Sequence, residues 1–427
     1  MGSYQMPIYC GYNHRQAIVF PVSAVDLSNP EAFVAGVPHE HFRQLRENDP
    51  VHWQPECPLP GVPQGVGYWT LTRYEDVAFV SKNAEIFSSE TGTSIMSDMH
   101  PRDRSNMQQQ LINMDPPSHT ELRKLMSPHF KPRTVAQTEE HTRKIVHDTL
   151  GKLVGETEFD FVDGFSAPIS LRALTAFLGV PDKDSGKFYR WTNNLIGSSD
   201  PGVSNNFWAR FSVLELFFYA ARLARKKRRQ PTDDIWSSLV NGNLRDQPLS
   251  RLKLGMNFFL LLIAGNETTR NALSGGMQAL CEHPEQRELL QNDLSLLPGA
   301  IEEMLRFSTP VMQFRRTAMQ DTKIGDQEIR RGDKVVMYYG AANRDPEIFP
   351  DPDRFDITRD SQHLAFGTGT HFCAGSHMAR LEMRVALEEL LTRYPNLQLA
   401  GPVERLRSNF INGIKRMPVA LNAARTH

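Results

Sequence analysis

The sequence predicts a mainly α-helical fold with small β-sheets, and three observations carry that expectation. Helical periodicity dominates from about Asp115 to Cys281. Within it, Ser250 to His283 reads as one long helix, with Ser250 a good N-cap and Pro284 closing it. Strand-like runs sit only toward the two ends of the chain. No repeat, low-complexity linker or composition break appears, so a single domain over residues 1–427 is expected.

The elements follow in chain order. The opening "MGSYQMPIYCGYNHRQ" is polar and mixed, unlike a signal peptide, which points to the cytoplasm. In "GVGYWTLTRYEDVAFVSKNAEIFSS", Tyr68, Thr70 and Thr72 alternate with Trp69, Leu71 and Arg73, as in a part-buried strand. Glu75 to Lys82 then turns helical. In "NMDPPSHTELRKL", Pro116 and Pro117 suit a first helical turn, which puts His119 and Arg123 on one face. The basic run "ARKKRRQ", Ala224 to Gln230, reads as a solvated helix end before Pro231.

The long helix would span on the order of 50 Å at ~1.5 Å per residue. Its middle, "FFLLLIAG", is the longest strongly apolar stretch. A membrane span needs roughly 20 apolar residues, so this is a buried core helix of a soluble protein with no transmembrane segment. It then breaks into Gly265, Asn266, Glu267, Thr268 and Thr269, polar groups that cost free energy when buried unpaired. "AIEEMLRFSTPV" places Glu303 and Arg306 three apart, where they can pair. "KIGDQEIRRGDKVVMYY" suggests a small sheet with turns at Gly325-Asp326 and Gly332-Asp333. "NFINGIKRMPVAL" suggests a closing hairpin turned at Asn412-Gly413.

A net charge of −1 argues against nucleic acid as a partner. The four cysteines, Cys10, Cys57, Cys281 and Cys373, lie far apart without a CxxC pair. That spacing suggests neither a disulfide scaffold nor a tetrahedral zinc site, and it suits a reducing compartment.

One of these cysteines sits among glycines in "FGTGTHFCAG", just before the helical pattern "SHMARLEMRVALEELL". A helix N-terminus stabilises a thiolate. Gly367, Gly369 and Gly375 would let a flat ligand lie against the backbone, with Phe366 shielding one side. Local physics leaves three readings open: a haem thiolate ligand, an inert buried cysteine, or a zinc cluster of His371, Cys373 and His377.

The wider pattern resembles the cytochrome P-450 family. Phe366, Gly369, Cys373 and Gly375 fall in place in its haem-binding signature, and further motifs follow the family's order from about Asn113 onward. The resemblance implies the cytochrome P-450 fold, haem b with Cys373 as the ligand to iron, and monooxygenation of an apolar C–H bond. In "LLLIAGNETTRNALSGG", Thr268 takes the place of the oxygen-contacting threonine and Glu267 that of the preceding acid. A hydroxyl and a carboxyl there would relay protons. The resemblance gives Glu303 and Arg306 a structural role, with Arg354 of "PDRF" as third partner. It also assigns His119, Arg123, Arg316 and His371 to the haem carboxylates, for which arginine offers a matching fork.

No G-x-G-x-x-G unit or flavin domain is evident, so electrons should come from a ferredoxin fed by an NAD(P)H-dependent ferredoxin reductase. Lys124, Lys131 and Arg133 offer it a basic face. Two alternatives remain: a peroxide-driven fatty-acid hydroxylase of the same family, and a non-catalytic haem-thiolate gas sensor. Neither needs the acid–threonine pair that this chain keeps.

The expected substrate pocket is apolar. Ile95, Met96 and Met99 come from one loop, and Phe259, Ile263 and Ala264 from the central helix. Val311, Met312, Phe314 and Phe410 complete it. The blocks "AGNETTRN" and "NFINGIKRMPV" resemble actinobacterial members that hydroxylate sterol side chains and methyl-branched lipids, so a branched aliphatic, isoprenoid or sterol chain oxidised near its end is expected.

Overall fold

A computed structural model describes residues 25–56, 63–196 and 206–421. Cys10, Cys57 and the opening "MGSYQMPIYCGYNHRQ" lie outside them. Helices predominate, as the periodicity predicts.

The central helix runs unbroken from Arg251 to Glu282, with the Ser250 side chain accepting from the Lys253 amide. The neighbouring Ala167–Phe177 helix and its N-cap Ser166 supply partners to polar side chains of the central helix. Ser170 Oγ donates to Asn266 Oδ1 at 2.9 Å, and Ser166 Oγ meets Ser274 Oγ at 2.8 Å. Gly265 allows this approach: a Cβ there would stand 2.6 Å from Leu174 Cδ1. On another side the Leu297–Ser308 helix packs equally close, and a Cβ on Gly276 would meet Met304 Sδ at 2.8 Å.

The main apolar core joins the central helix to the Glu139–Gly151, Leu297–Ser308 and Ser376–Arg393 helices through residues such as Ile145, Leu273, Met304 and Leu387. A second core, around Trp191, Trp236, Phe258 and Leu262, carries the Asn206–Arg229 helix.

The largest sheet has five strands in the order Val51–Gln54, Tyr68–Leu71, Lys334–Tyr338, Gln313–Ala318 and Phe87–Ser88. Only the Tyr68–Leu71 and Lys334–Tyr338 pair is parallel. Tyr68–Leu71 is therefore interior and buried on both faces, not part-buried as its alternation suggested. The expected sheet over Lys323 to Tyr339 divides in two. Thr322–Ile324 and Gln327–Ile329 form their own hairpin, while Lys334–Tyr338 joins the large sheet.

The closing hairpin also differs. Glu404–Arg405 pairs with Ile414–Arg416 around a longer tip, and Pro418–Ala420 pairs with Gln398–Leu399 and Glu158–Asp160. Asn412 and Gly413 do not make a type I′ turn, since neither has the positive φ it requires. The Asn412 amide instead donates 2.9 Å to the Pro310 carbonyl, and its side chain donates 2.5 Å to the Ser308 carbonyl, which ties the tip to the body.

Candidate active site

The cysteine loop descends from Phe366 through the short turn Gly369–His371 and enters the Ser376–Arg393 helix. The Cys373 amide donates to the Phe366 carbonyl at 2.9 Å, which folds the loop back on itself. Gly367 and Gly369 have φ of +66° and +69°, a region that favours glycine. A Cβ on Gly369 would sit 2.6 Å from the Ser81 carbonyl oxygen. That glycine therefore admits the backbone of the Tyr74–Lys82 helix, rather than the face of a flat ligand as the sequence suggested. Ser81 Oγ completes the attachment by donating 2.8 Å to the Thr368 carbonyl. Gly375 caps the helix with ordinary space around it. The Phe366 ring is occupied from one side by the Arg380 guanidinium, 4.5 Å from its centroid.

The Cys373 thiol departs from the sequence expectation. Burial pushes it up, and the Gly375 amide with the Arg123 and Arg380 guanidinium groups only partly counteracts this. A bound cation at Sγ would favour the thiolate.

Four basic groups gather beside this loop. The His119 and His371 rings lie 4.4 Å apart, and His371 Nε2 meets Ser89 Oγ at 3.1 Å. Neither His119 ring nitrogen has a hydrogen-bond partner among the described residues. Among the described residues, the buried Arg316 donates only to the neighbouring Arg315 carbonyl, at 2.8 Å. Arg123 donates to the Thr370 and Phe372 carbonyls at 3.3 and 2.6 Å, so two of its nitrogens brace the cysteine loop. None of the four makes an ion pair with a carboxylate among the described residues. Burial pushes His119 down to about 4 and His371 well below its ordinary value, with neighbouring arginines reinforcing both shifts.

A buried guanidinium without counter-charge, as at Arg316, is costly, and the unpaired His119 imidazole beside it is ready to accept or donate hydrogen bonds. Haem carries two carboxylates and needs one axial ligand, so this basic cluster beside Cys373 fits it. Cys373 Sγ can hold the iron, while Arg316, His119, His371 and the remaining Arg123 donors can hold the carboxylates. His371, Cys373 and His377 form no metal-binding group; none is found among the described residues.

On the central helix, Ala264 is exposed and Thr268 half-buried while Asn266, Glu267, Thr269 and Arg270 are buried, so one face of the helix middle borders open space. Thr268 Oγ1 donates to the Ala264 carbonyl at 2.6 Å. Glu267 points elsewhere. Its fully buried carboxylate pairs with Arg270, and Asn266 Nδ2 donates to it at 3.3 Å. Burial pushes this carboxyl up, against the pull of Arg270. Arg270 reaches on to Asn193 Oδ1 at 3.4 Å, and Asn193 is half-buried.

Glu303 and Arg306 pair through two 2.7 Å contacts, both side chains fully buried. Arg306 also donates to the Asn343 and Pro352 carbonyls at 2.8 Å. The expected third partner is corrected. Arg354 offers only its carbonyl, 3.2 Å from Arg306 Nη2, and its residue is exposed. The guanidinium that reaches Glu303 belongs to Arg359, at 3.4 Å. The 350–359 loop turns the later arginine inward, where it also donates to the Pro350, Asp351 and Arg354 carbonyls.

The expected pocket residues divide as well. Ile95, Met99, Phe259, Ile263, Val311, Phe314 and Phe410 are half-buried. Phe314 and Phe410 stack edge-on at 5.5 Å, and Val311 bridges to Ile411. Met96 and Met312 are core instead, packed with Phe42 and Tyr338. Tyr338 Oη donates to Met96 Sδ at 3.8 Å. Sequence reasoning missed what pins this loop: Asp98 pairs with Arg315 at 2.7 Å and Lys334 at 2.9 Å. The only signal was that Arg315 and Lys334 are charged within otherwise apolar strands.

Comparison with known proteins agrees with this geometry. The family model described as Cytochrome P450 matches residues 64–404. A steroid C26-monooxygenase of Rhodococcus jostii is 36% identical over 93% of this chain and 85% of its own length. A methyl-branched lipid omega-hydroxylase of Mycobacterium tuberculosis is 37% identical over 88% of this chain and 90% of its own. The structure of a Mycobacterium marinum cytochrome P450 in complex with pseudoionone superposes with a TM-score of 0.87 at 35% identity, covering 95% of this chain and all of that one. With the haem-fitting cluster, the fold and these likenesses together, the chain belongs to the cytochrome P450 family, as a haem-thiolate monooxygenase.

Proposed function

We propose that the protein hydroxylates the end of a methyl-branched lipid, isoprenoid or sterol side chain, acting in the cytoplasm with electrons from a ferredoxin and its NAD(P)H-dependent reductase. Dioxygen, two electrons, two protons and R–H give R–OH and water. Haem held by Cys373 supplies the oxygen-activating chemistry; the chain supplies position and protons.

The observation that carries this reading is on the central helix. Thr268 is held by the Ala264 carbonyl on the helix face that borders open space, and a buried Glu267 stands next to it in sequence. The Thr268 hydroxyl oxygen keeps lone pairs to accept a proton while it donates one onward. Glu267 holds a proton more readily than an exposed glutamate, and its partners Arg270 and Asn193 lead toward the surface. Apolar residues on the same helix, Phe259 and Ile263, would orient an aliphatic chain. The relatives whose names specify C26 and omega oxidation support the terminal position.

For the electron donor, a depression of about 200 Å³ lies over Cys373 between Lys131, Phe372 and His377. Lys124, Lys131 and Arg133 are exposed there or close in sequence, which suits an acidic ferredoxin.

The test is reconstitution with ferredoxin and reductase, offering branched and straight fatty acids, isoprenoids and cholest-type sterols, with products identified by mass spectrometry. Terminal alcohols are expected. Turnover confined to small polar aromatics, or equal product from peroxide alone, would overturn the reading. In parallel, Cys373→Ser should abolish the red-shifted carbon-monoxide band of the reduced protein.

A further inference from the structure

The Asn206–Arg229 helix packs one face into the second apolar core through Leu216, Ala220, Leu223 and Ala224. Its opposite face is unusual. Phe207, Phe211, Leu214 and Phe218 recur at helical spacing and are all exposed, Phe207 at 68% and Phe218 at 76%. The same stripe continues as Arg222, Arg225 and Arg229, also exposed. Seven residues at spacings of three and four thus form one line: apolar over the first half of the helix, basic over the second. None of the three arginines makes an ion pair among the described residues, while the nearby Glu215 is already engaged by Arg190 and the Trp191 ring. Lys226 and Arg228 add exposed charge beside the basic half.

Exposed apolar patches of this kind mark interaction sites. The division along the axis selects among partners. A second copy laid antiparallel along the stripe would set arginines on phenylalanines, and a parallel copy would set arginines on arginines. A bilayer surface offers both needed environments at once, acyl chains below and anionic headgroups above. We infer that this face docks the protein on an anionic lipid surface, with the phenylalanine half dipping below the headgroups and the arginine half lying among the phosphates. No described helix is long and apolar enough to cross a membrane, so the contact is peripheral. The inference does not depend on which substrate the active site takes.

The test uses the haem-loaded full chain and vesicles of phosphatidylcholine with or without phosphatidylglycerol, in a flotation assay. Binding is expected to the anionic vesicles, to weaken as salt rises, and to be at least tenfold weaker on pure phosphatidylcholine. The double change Phe207→Ser with Phe218→Ser should cut anionic binding at least tenfold. The triple change Arg222→Gln, Arg225→Gln and Arg229→Gln should cut it similarly and remove the salt dependence. All five side chains are solvent-exposed, so the visible spectrum and melting temperature should hold. A readout without mutation is quenching by brominated lipid of Trp208, which lies between Phe207 and Phe211 in ring contact with both. Failure to float with anionic vesicles, undiminished binding by the double phenylalanine variant, or absence of quenching would overturn the inference. So would a concentration-dependent dimer that the phenylalanine changes abolish, since it would assign the face to a second copy.

Discussion

Two glutamate–arginine pairs in this protein share a spacing of three residues, a helical setting and burial: Glu303 with Arg306, and Glu267 with Arg270. Their surroundings separate them. Around the first, carbonyls of Asn343, Pro352 and Arg354 take up the guanidinium, while the Asp356 amide, Ser361 and Arg359 take up the carboxylate. Around the second, Arg270 Nε has no partner among the described residues, and the carboxyl is pushed up by burial. The same two side chains make a brace where backbone carbonyls and amides converge on them, and a carboxyl raised by burial where they do not. Desolvation is similar in both; the number of fixed dipoles around the charges differs.

Substitutions can break this contrast. Arg306→Leu would leave the buried Glu303 without its main partner and the Asn343, Pro352 and Arg354 carbonyls without their donor. A loss of about 3–5 kcal/mol is expected, seen as a shifted denaturant midpoint and poor haem retention. A wild-type midpoint would remove the brace from the comparison. Glu267→Gln keeps the shape and one hydrogen-bond acceptor. Stability should change little, while turnover falls roughly 10- to 100-fold with substrate binding nearly unchanged. An equal loss in binding and turnover would mean that Glu267 only braces as well. Thr268→Ala should then lower product per NAD(P)H and raise peroxide, measured in the reconstituted system.

A third buried carboxyl sharpens the contrast further. Glu382, on the cysteine helix, has no hydrogen-bond partner at Oε2 among the described residues and is pushed far up by burial alone. A carboxyl raised on folding binds more protons in the folded than in the unfolded chain. Its contribution to stability is therefore whole at low pH and is lost as pH climbs above the ordinary glutamate range toward its folded value. Glu382→Gln should flatten that decline, so the variant gains on the parent at pH 8 relative to pH 5 in parallel unfolding curves. The smallest effect belongs to Arg359→Gln. Its 3.4 Å contact is the longest around Glu303 and its bonds to the Pro350, Asp351 and Arg354 carbonyls are exposed, so a cost of about 1 kcal/mol is expected in the same assay.

What could be read from the sequence follows the same physics. The central helix and the cysteine loop were legible because their signals are local: a serine cap, an apolar run, glycines at fixed offsets. The choice between Arg354 and Arg359 was not, because both lie in one loop and only its path decides which enters. Met96 looked like pocket and became core for a similar reason: its partner Tyr338 is 242 residues away. Asn412-Gly413 has the right residues for a tight turn, yet the carbonyls of Ser308 and Pro310 claim its donors first.

The way the cysteine loop is fastened bears on how the protein is made. Thr368, His371 and Phe372 are held by Ser81, Ser89 and Arg123, which lie 287, 282 and 249 residues earlier in the chain. At ~5–20 residues per second on a ribosome, the early strands and helices wait about 12–57 s before the segment they grip emerges. Arg316 follows His119 by 197 residues, and the basic cluster around them is completed only by His371, two residues before the thiol. Haem capture must therefore fall after synthesis has passed Cys373, as one of the last steps by which the nascent chain becomes an enzyme.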